Sequence, residues 1–132
     1  MNILINIDVP DIGQAIAFYE QGLGMTLSRM LFDNRVAEMS MQGLLVHLLH
    51  KPADTPATPA GERRRYDRHW TPLHLDFVVE DIDAATERAV TAGAVLEQPA
   101  RERDWGKLAL LSDPFGNGFC LVEFKGAPYS GV

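Results

Sequence analysis

The fold is decided by the segment HLDFVVEDIDAA at residues 74–85, because it repeats the segment LINIDVPDIGQA at residues 4–15, seventy positions earlier. Asp11 and Asp81 occupy the same place in the two copies, and aspartate is a favoured helix N-cap. An alternating apolar stretch precedes each aspartate and a short helical pattern follows it. The repeat therefore predicts two similar halves.

Each half is predicted to continue with three more strands after its helix. The first half has a strand at 3–9, a helix at 12–21 and strands at 25–31, 35–41 and 44–51. The second half has a strand at 73–79, a helix at 82–92 and strands at 94–98, 107–112 and 119–125. This order is βαβββ twice, which predicts an α+β fold with the helices on one side of curved, mixed sheets.

The 132 residues are expected to form one domain of two halves, at about 1–51 and 73–125. A proline- and arginine-rich loop at 52–72 joins them. It carries Arg63, Arg64 and Arg65, followed by Arg68. Such a run is either a solvated loop or a lid that places an arginine over an anionic substrate. The sequence leaves both interpretations open.

Composition excludes several classes of function. The net charge of −6, from 12 basic and 18 acidic side chains, disfavours binding to nucleic acid. Cys120 is the only cysteine, so no disulfide forms within the chain. The chain begins without a signal-peptide pattern, and its longest apolar run, residues 44–49, is too short for a membrane span. We therefore expect a cytoplasmic protein with neither nucleic acid nor membrane as a partner.

Three motifs carry a family resemblance. They are the string DPFGNGFCLVEF at residues 113–124, the pair Phe18-Tyr19 followed by Leu23-Gly24, and the strand opening at 74–81. On these motifs and the doubled βαβββ pattern, the chain resembles members of the vicinal oxygen chelate superfamily. That group contains glyoxalases, bleomycin-resistance proteins and extradiol dioxygenases. The resemblance implies that the two modules form a sheet cup with the helices outside, that the chain is a homodimer, and that a ligand or metal binds inside the cup.

The resemblance also implies four metal-ligand positions, which here hold Leu4, His47, His74 and Cys120. Leu4 offers no donor atom, and Cys120 stands where relatives carry a carboxylate. Two imidazoles and a thiolate would suit a divalent metal of the zinc or nickel type, but not the iron of a dioxygenase. Glu123 lies an odd number of residues from Cys120, so it is expected on the opposite face of the strand, as an edge or surface charge.

Two functions remain open. The first is a small-molecule-binding protein of the bleomycin-resistance type, without a complete family metal site. The alternative is a metal-dependent lyase, isomerase or dioxygenase of the glyoxalase type, with His47 or Asp76 as the base. The expected pocket residues are Asn6, His47, His74, Asp76, Trp105 and Cys120. Asn6 and Asp76 could instead tie the two halves together, and Trp105 could be a packing residue at the core or rim.

Overall fold

A computed structural model describes all 132 residues, in two compact units at Met1–Asp67 and Arg68–Val132. Unit 1 contains β1 (Ile5–Val9), α1 (Ile12–Gln21), β2 (Thr26–Leu31), β3 (Val36–Met41) and β4 (Leu44–His50). Unit 2 contains β5 (Leu75–Val78), α2 (Ile82–Thr91), β6 (Val95–Arg103), β7 (Gly106–Ser112) and β8 (Gly118–Phe124). The unit boundary falls inside the predicted connection, and the expectation of one domain stays a prediction.

Both units share one topology. The sheets run in the order β1-β4-β3-β2 and β5-β8-β7-β6. The first strand of each unit pairs in parallel with the last, and the remaining pairs are antiparallel. Each helix packs on the sheet of its own unit. The predicted α+β fold of two βαβββ modules is therefore confirmed.

The two aspartates of the repeat begin the helices. Asp11 Oδ1 accepts a hydrogen bond from the Gln14 amide at 2.9 Å, and Asp81 accepts from the Asp83 and Ala84 amides at 3.1 and 3.0 Å. These bonds satisfy amides that a helix N-terminus otherwise leaves unpaired. The predicted start of both helices is therefore confirmed. Each cap depends only on residues that are close in sequence.

Strand β6 differs most from its prediction, since it continues to Arg103 instead of ending near residue 98. Pro99 lies inside it and cannot donate a ladder hydrogen bond. The structure accommodates Pro99 at an irregularity between Gln98 and Arg101, on the edge strand of the sheet. Proline is tolerated at such positions.

Two turns fix the register of the strands that carry the candidate site. Gln42 and Gly43 have φ values of 46° and 83°, a pair typical of a two-residue type I′ turn between β3 and β4. In unit 2, buried Asp113 accepts hydrogen bonds from the Phe115 and Asn117 amides at 2.8 and 2.9 Å. The side chain of Asp113 thereby closes the turn between β7 and β8.

The arginines of the connection are engaged by partners within their own unit. Arg63 pairs with Asp54 at 2.7 Å, and Arg64 pairs with Asp8 at 2.8 Å. Arg68 forms two hydrogen bonds to the Glu97 carboxylate, at 2.6 and 3.0 Å. The contacts of Arg64 and Arg68 attach the connection to β1 and β6, and they favour a structural loop over a lid. Neither helix is long and apolar enough to cross a bilayer.

Candidate functional site

A row of four polar residues crosses the sheet of unit 1, one from each strand. Asn6 on β1 is the ladder partner of His47 on β4, His47 is the partner of Glu38 on β3, and Glu38 is the partner of Arg29 on β2. Direct ladder partners point to the same face of a sheet. We call these four residues the polar row. Its two central members are buried and its two outer members are exposed.

The carboxylate of Glu38 holds the polar row together. It accepts from Arg29 Nε at 3.0 Å and from Arg29 Nη2 at 3.3 Å, and it lies 3.1 Å from His47 Nε2. These hydrogen bonds, from Arg29 first and His47 second, lower the pKa of Glu38. Glu38 is therefore ionised at neutral pH, and its carboxylate accepts a hydrogen bond from the Nε2–H group of His47.

This arrangement leaves the second ring nitrogen of His47 unsatisfied. His47 Nδ1 is buried and has no hydrogen-bond partner. In the neutral tautomer that donates from Nε2 to Glu38, Nδ1 is an acceptor with a free lone pair. A buried polar atom without a partner is uncommon and calls for an explanation, which is often a functional one.

Glu38 and Arg29 are members of this site that sequence reasoning missed, although a signal was present. The β3–β4 turn pairs Met41 with Leu44. Counting three residues outward from each of these places Glu38 opposite His47. The register of a two-residue hairpin therefore gives the carboxylate–imidazole pair directly.

Unit 2 brings three predicted site residues together. His74 Nε2 lies 3.1 Å from Asp76 Oδ1, and Asp76 is the ladder partner of Cys120 in the parallel pair of β5 and β8. One donor atom from each of the three residues lies within 4.8 Å of the others. The Asp76 carboxylate therefore has His74 as its partner, and the Asp76 side chain is 38% exposed.

The environment of Cys120 makes its thiol a poor nucleophile. Burial, with the charge and hydrogen bonding of Asp76 as further causes, raises the pKa of Cys120 to about 11. Reactive cysteines have a lowered pKa beside cations or helix N-termini. In this protein the neighbour is a carboxylate, so the thiol is protonated near neutral pH unless a cation displaces its proton.

The four positions that the superfamily resemblance implies do not fit the superfamily's metal. Leu4 is an exposed aliphatic residue without a donor atom, and His47 Nε2 already bonds to Glu38. Cys120 supplies a protonated thiol where a carboxylate is expected. We therefore derive no reaction step through a metal held by this set.

Glu123 and Trp105 lie in other environments. Glu123 Oε2 accepts a hydrogen bond from the Ile82 amide at 2.8 Å, at the start of α2. Glu123 therefore faces α2, which confirms that Cys120 and Glu123 point to opposite faces of β8. Glu123 also caps the start of α2, a role that goes beyond the expected edge or surface charge. Trp105 packs with Phe124 and Tyr129, at ring-centroid distances of 5.8 and 5.3 Å. Ligand contact by Trp105 stays a prediction.

The pseudo-symmetry of the units relates the two clusters. Asn6 and His47 are partners in the parallel pair of unit 1, and Asp76 and Cys120 are partners in the parallel pair of unit 2. Asn6 and Asp76 also coincide in the sequence repeat. Each unit thus has polar side chains at the equivalent position of its own sheet.

Comparison with known proteins agrees with this architecture. Residues 4–122 match the model of a glyoxalase-like domain. The anthracycline biosynthesis protein DauV of Streptomyces sp. (strain C5) is 32% identical over 120 residues, which cover 89% of this chain and 39% of that protein. The chain thus spans about two-fifths of the length of the first curated relatives it matches.

Solved structures share the fold at low identity. A glyoxalase-related enzyme from Fulvimarina pelagi has a TM-score of 0.71 at 18% identity, with coverage of 93% of this chain and 87% of that one. The fosfomycin resistance protein FosX from Listeria monocytogenes has a TM-score of 0.70 at 19% identity, with coverage of 96% and 94%. These likenesses concern the fold alone. The match of the domain model to most of the sequence shows that the chain belongs to the glyoxalase-like domain family of the vicinal oxygen chelate superfamily.

Proposed function

We propose that this glyoxalase-like chain is a binding protein of the bleomycin-resistance type, which holds a small organic molecule without the family's four-donor metal set. The observation that carries the proposal is the unpartnered, buried Nδ1 atom of His47. Leaving such an acceptor unpaired costs about 1–3 kcal/mol. A hydroxyl or N–H group of a ligand would donate to it and recover that free energy.

The polar row supports this role because it fixes the orientation of the imidazole. Arg29 and His47 both bond to the Glu38 carboxylate, and in the neutral tautomer that donates from Nε2 to Glu38 the Nδ1 atom of His47 is an acceptor. Exposed Asn6 lies beside His47 on the neighbouring strand and offers an amide to the same ligand. The preferred ligand is therefore a molecule with a hydrogen-bond donor close to an apolar or aromatic body.

The remaining expected pocket residues lie in unit 2, and we propose them as ligand contacts of that unit by itself. His74 and Asp76 are exposed, so they are accessible to a polar substituent, and Cys120 offers a small apolar surface beside them. Trp105 is proposed as an aromatic contact. The relative DauV is named an anthracycline biosynthesis protein, so an anthracycline, with hydroxyl groups on a polycyclic aromatic body, is a suitable first probe.

A thermal-shift titration tests the proposal. An anthracycline at 100 times its dissociation constant stabilises the native state by about 2.7 kcal/mol. We expect the melting temperature of the wild type to rise, the rise to be lost in His47→Leu, and the rise to persist in His50→Leu, which alters an exposed histidine on the same strand. A library of hydroxylated aromatics extends the test. An equal shift in wild type and His47→Leu would remove His47 from the site.

A metal-dependent lyase, isomerase or dioxygenase is the second candidate function. The observation in its favour is the cluster of His74, Asp76 and Cys120 donor atoms. Asp76 or His47 would then act as the base. Turnover of a candidate substrate that requires added zinc, nickel, cobalt or manganese would favour this candidate over simple binding.

We also propose that the protein is a cytoplasmic homodimer with neither nucleic acid nor membrane as a partner. Strands β1 and β5 are edge strands in their sheets. Large apolar side chains are exposed on and beside them: Ile3, Leu4, Leu73 and Val78. Unpaired edges with exposed apolar residues favour association with a second copy. The lone reduced cysteine agrees with a reducing compartment.

A further inference from the structure

We propose that Asn117, in the turn between β7 and β8, is a site of spontaneous deamidation, and that the segment Arg68-His69 protects it in the folded protein. Asn117 is the only one of the chain's four asparagines that a glycine follows. Glycine offers the least steric hindrance to attack by its own amide nitrogen, so asparagine–glycine is the most labile pair for this reaction. The chemistry does not depend on the proposed ligand.

The reaction needs only water as a reagent. The Gly118 amide nitrogen loses its proton and attacks Cγ of Asn117, so that a nitrogen–carbon bond forms and the side-chain nitrogen leaves as ammonia. Water then opens the cyclic imide at one of its two carbonyl groups, which gives aspartate or isoaspartate. The attack requires the backbone and the side chain of Asn117 to rotate until Cγ meets the Gly118 nitrogen.

Hydrogen bonds within unit 2 hold Asn117 away from that geometry. Its Nδ2 atom donates to Asp113 Oδ2 at 2.9 Å, and its Oδ1 atom lies 2.9 Å from Nε2 of His69. Because an amide oxygen can only accept, His69 is the donor of the second bond. The backbone N–H of Asn117 donates to Asp113 Oδ1 at 2.9 Å, and its carbonyl accepts from the Asp113 amide at 2.8 Å. Rotation of Asn117 would break these bonds.

The same segment explains why a glycine stands at position 118. A Cβ atom at Gly118 would lie 2.7 Å from Nη2 of Arg68, which is well inside the ordinary contact distance. Two hydrogen bonds to Glu97, at 2.6 and 3.0 Å, hold the guanidinium in that place. The amide of His69 donates to the Gly116 carbonyl at 3.1 Å and so fixes the segment to the turn. Packing of Arg68 thus requires the labile pair, and His69 protects it.

Deamidation would damage the turn that sets the register of β8. The new carboxylate would replace the amide that donates to Asp113, so two carboxylates would face each other where one hydrogen bond stood. Asp113 is only 3% exposed, so water screens this repulsion poorly. Isoaspartate also lengthens the main chain by one methylene at the turn. The modification therefore records how often the Arg68-His69 segment leaves the turn.

Peptide mapping by mass spectrometry, during incubation of the purified chain at pH 8, tests the site. The tryptic peptide 108–125 holds Asn117 as its only asparagine, and the peptide 30–35 holds exposed Asn34 as an internal reference. We expect Asn117 to convert at least tenfold more slowly in the folded wild type than in the chain unfolded in urea. His69→Ala is expected to speed conversion in the folded protein at least tenfold. His69→Gln keeps an N–H donor and is expected to restore the slow rate.

A control separates local release of the turn from a general loss of stability. Glu123→Ala removes the cap of α2 and leaves the contacts of Asn117 in place, so the Asn117 rate is expected to stay that of the wild type. Circular dichroism during incubation reports folding, and the Asn34 rate is expected to be equal in all folded variants. Equal Asn117 rates in folded and unfolded wild type, or an unchanged rate in folded His69→Ala, would overturn the proposal. If His69→Ala does not fold, the wild-type comparison with urea decides it.

Discussion

Asp76 lies directly opposite Cys120 in the parallel β5–β8 pair, and the thiol meets a carboxylate there instead of a cation. Burial, and then the charge and hydrogen bonding of Asp76, raises the pKa of Cys120 to about 11. The thiol is consequently unsuited to nucleophilic catalysis, although a bound cation can displace its proton. The contact between Asp76 and Cys120 therefore favours a role for Cys120 in binding over a role as a reactive nucleophile.

The first prediction concerns alkylation of Cys120 in chelator. At pH 8 a thiol with a pKa of about 11 is only about 0.1% thiolate, so iodoacetamide is expected to react about 100-fold more slowly than with a free thiol. The rate is expected to rise about tenfold per pH unit up to pH 10. Asp76→Asn is expected to speed the reaction at pH 8, because it removes a charge that opposes the thiolate. A rate that is fast and level above pH 8 would contradict this account.

The second prediction concerns acid stability. The lowered pKa of Glu38 means that its ionised form stabilises the native state above its unfolded-state pKa, near 4.5. This contribution is lost as the pH falls from there through the folded-state pKa. Glu38→Gln is expected to lower the free energy of unfolding at pH 7 and to lower it by less at pH 3, where protonation opposes the ionised form. Urea unfolding at the two pH values measures it.

A matched control for the Glu38 experiment is Glu87→Gln, which alters an exposed carboxylate on α2. Its effect is expected to stay within about 0.5 kcal/mol at both pH values. An equal loss of stability for Glu38→Gln at pH 7 and pH 3 would show that packing, and not the charged hydrogen bonds to Arg29 and His47, accounts for the role of Glu38.

The third prediction concerns the helix cap at Glu123. Glu123→Ala removes the acceptor of the Ile82 amide and is expected to cost about 1–2 kcal/mol of unfolding free energy. Lys107→Gln leaves the helix cap in place but removes the 3.6 Å ion pair to Glu123, and it is expected to cost less than about 1 kcal/mol. Anthracycline binding should survive both changes. Loss of anthracycline binding in a folded Glu123→Ala protein would place Glu123 in the site.

The fourth prediction concerns assembly. Light scattering at micromolar concentration is expected to give twice the mass of 14.6 kDa. Val78→Lys places a charge on the exposed face of edge strand β5 and is expected to shift the protein towards monomer. Val90→Lys changes an exposed valine on α2 and serves as the control. A monomeric wild type would refute the proposed homodimer.

The sequence predicted the parts of the fold that are encoded locally. The starts of α1 and α2 follow from Asp11 and Asp81, whose side chains bond to amides two or three residues further on. Strand β6 was predicted too short, because Pro99 normally ends a strand. The sheet tolerates Pro99 because β6 is an edge strand and its pairing is irregular there, and both are properties of the assembled sheet.

The candidate site was predicted only in part, for a similar reason. Alternation along β8 correctly separated Cys120 from Glu123, but the partner of Glu123 is the Ile82 amide, 41 residues away. Prediction of the role of Glu38 requires the pairing of β3 with β4, which places the Glu38 carboxylate opposite His47. His74, Asp76 and Cys120 were all expected in the pocket, and the β5–β8 pair brings their donor atoms together in unit 2, whereas ligand binding there stays a prediction.

Equilibrium titration of an anthracycline, in the presence of a chelator, tests the central claim of metal-free binding at His47 most directly. The account predicts saturable binding to wild type with a dissociation constant that the chelator does not change. It also predicts at least tenfold weaker binding to His47→Leu and unchanged binding to His50→Leu. Binding that disappears in chelator and returns with added zinc would contradict the claim and favour the metal-dependent alternative.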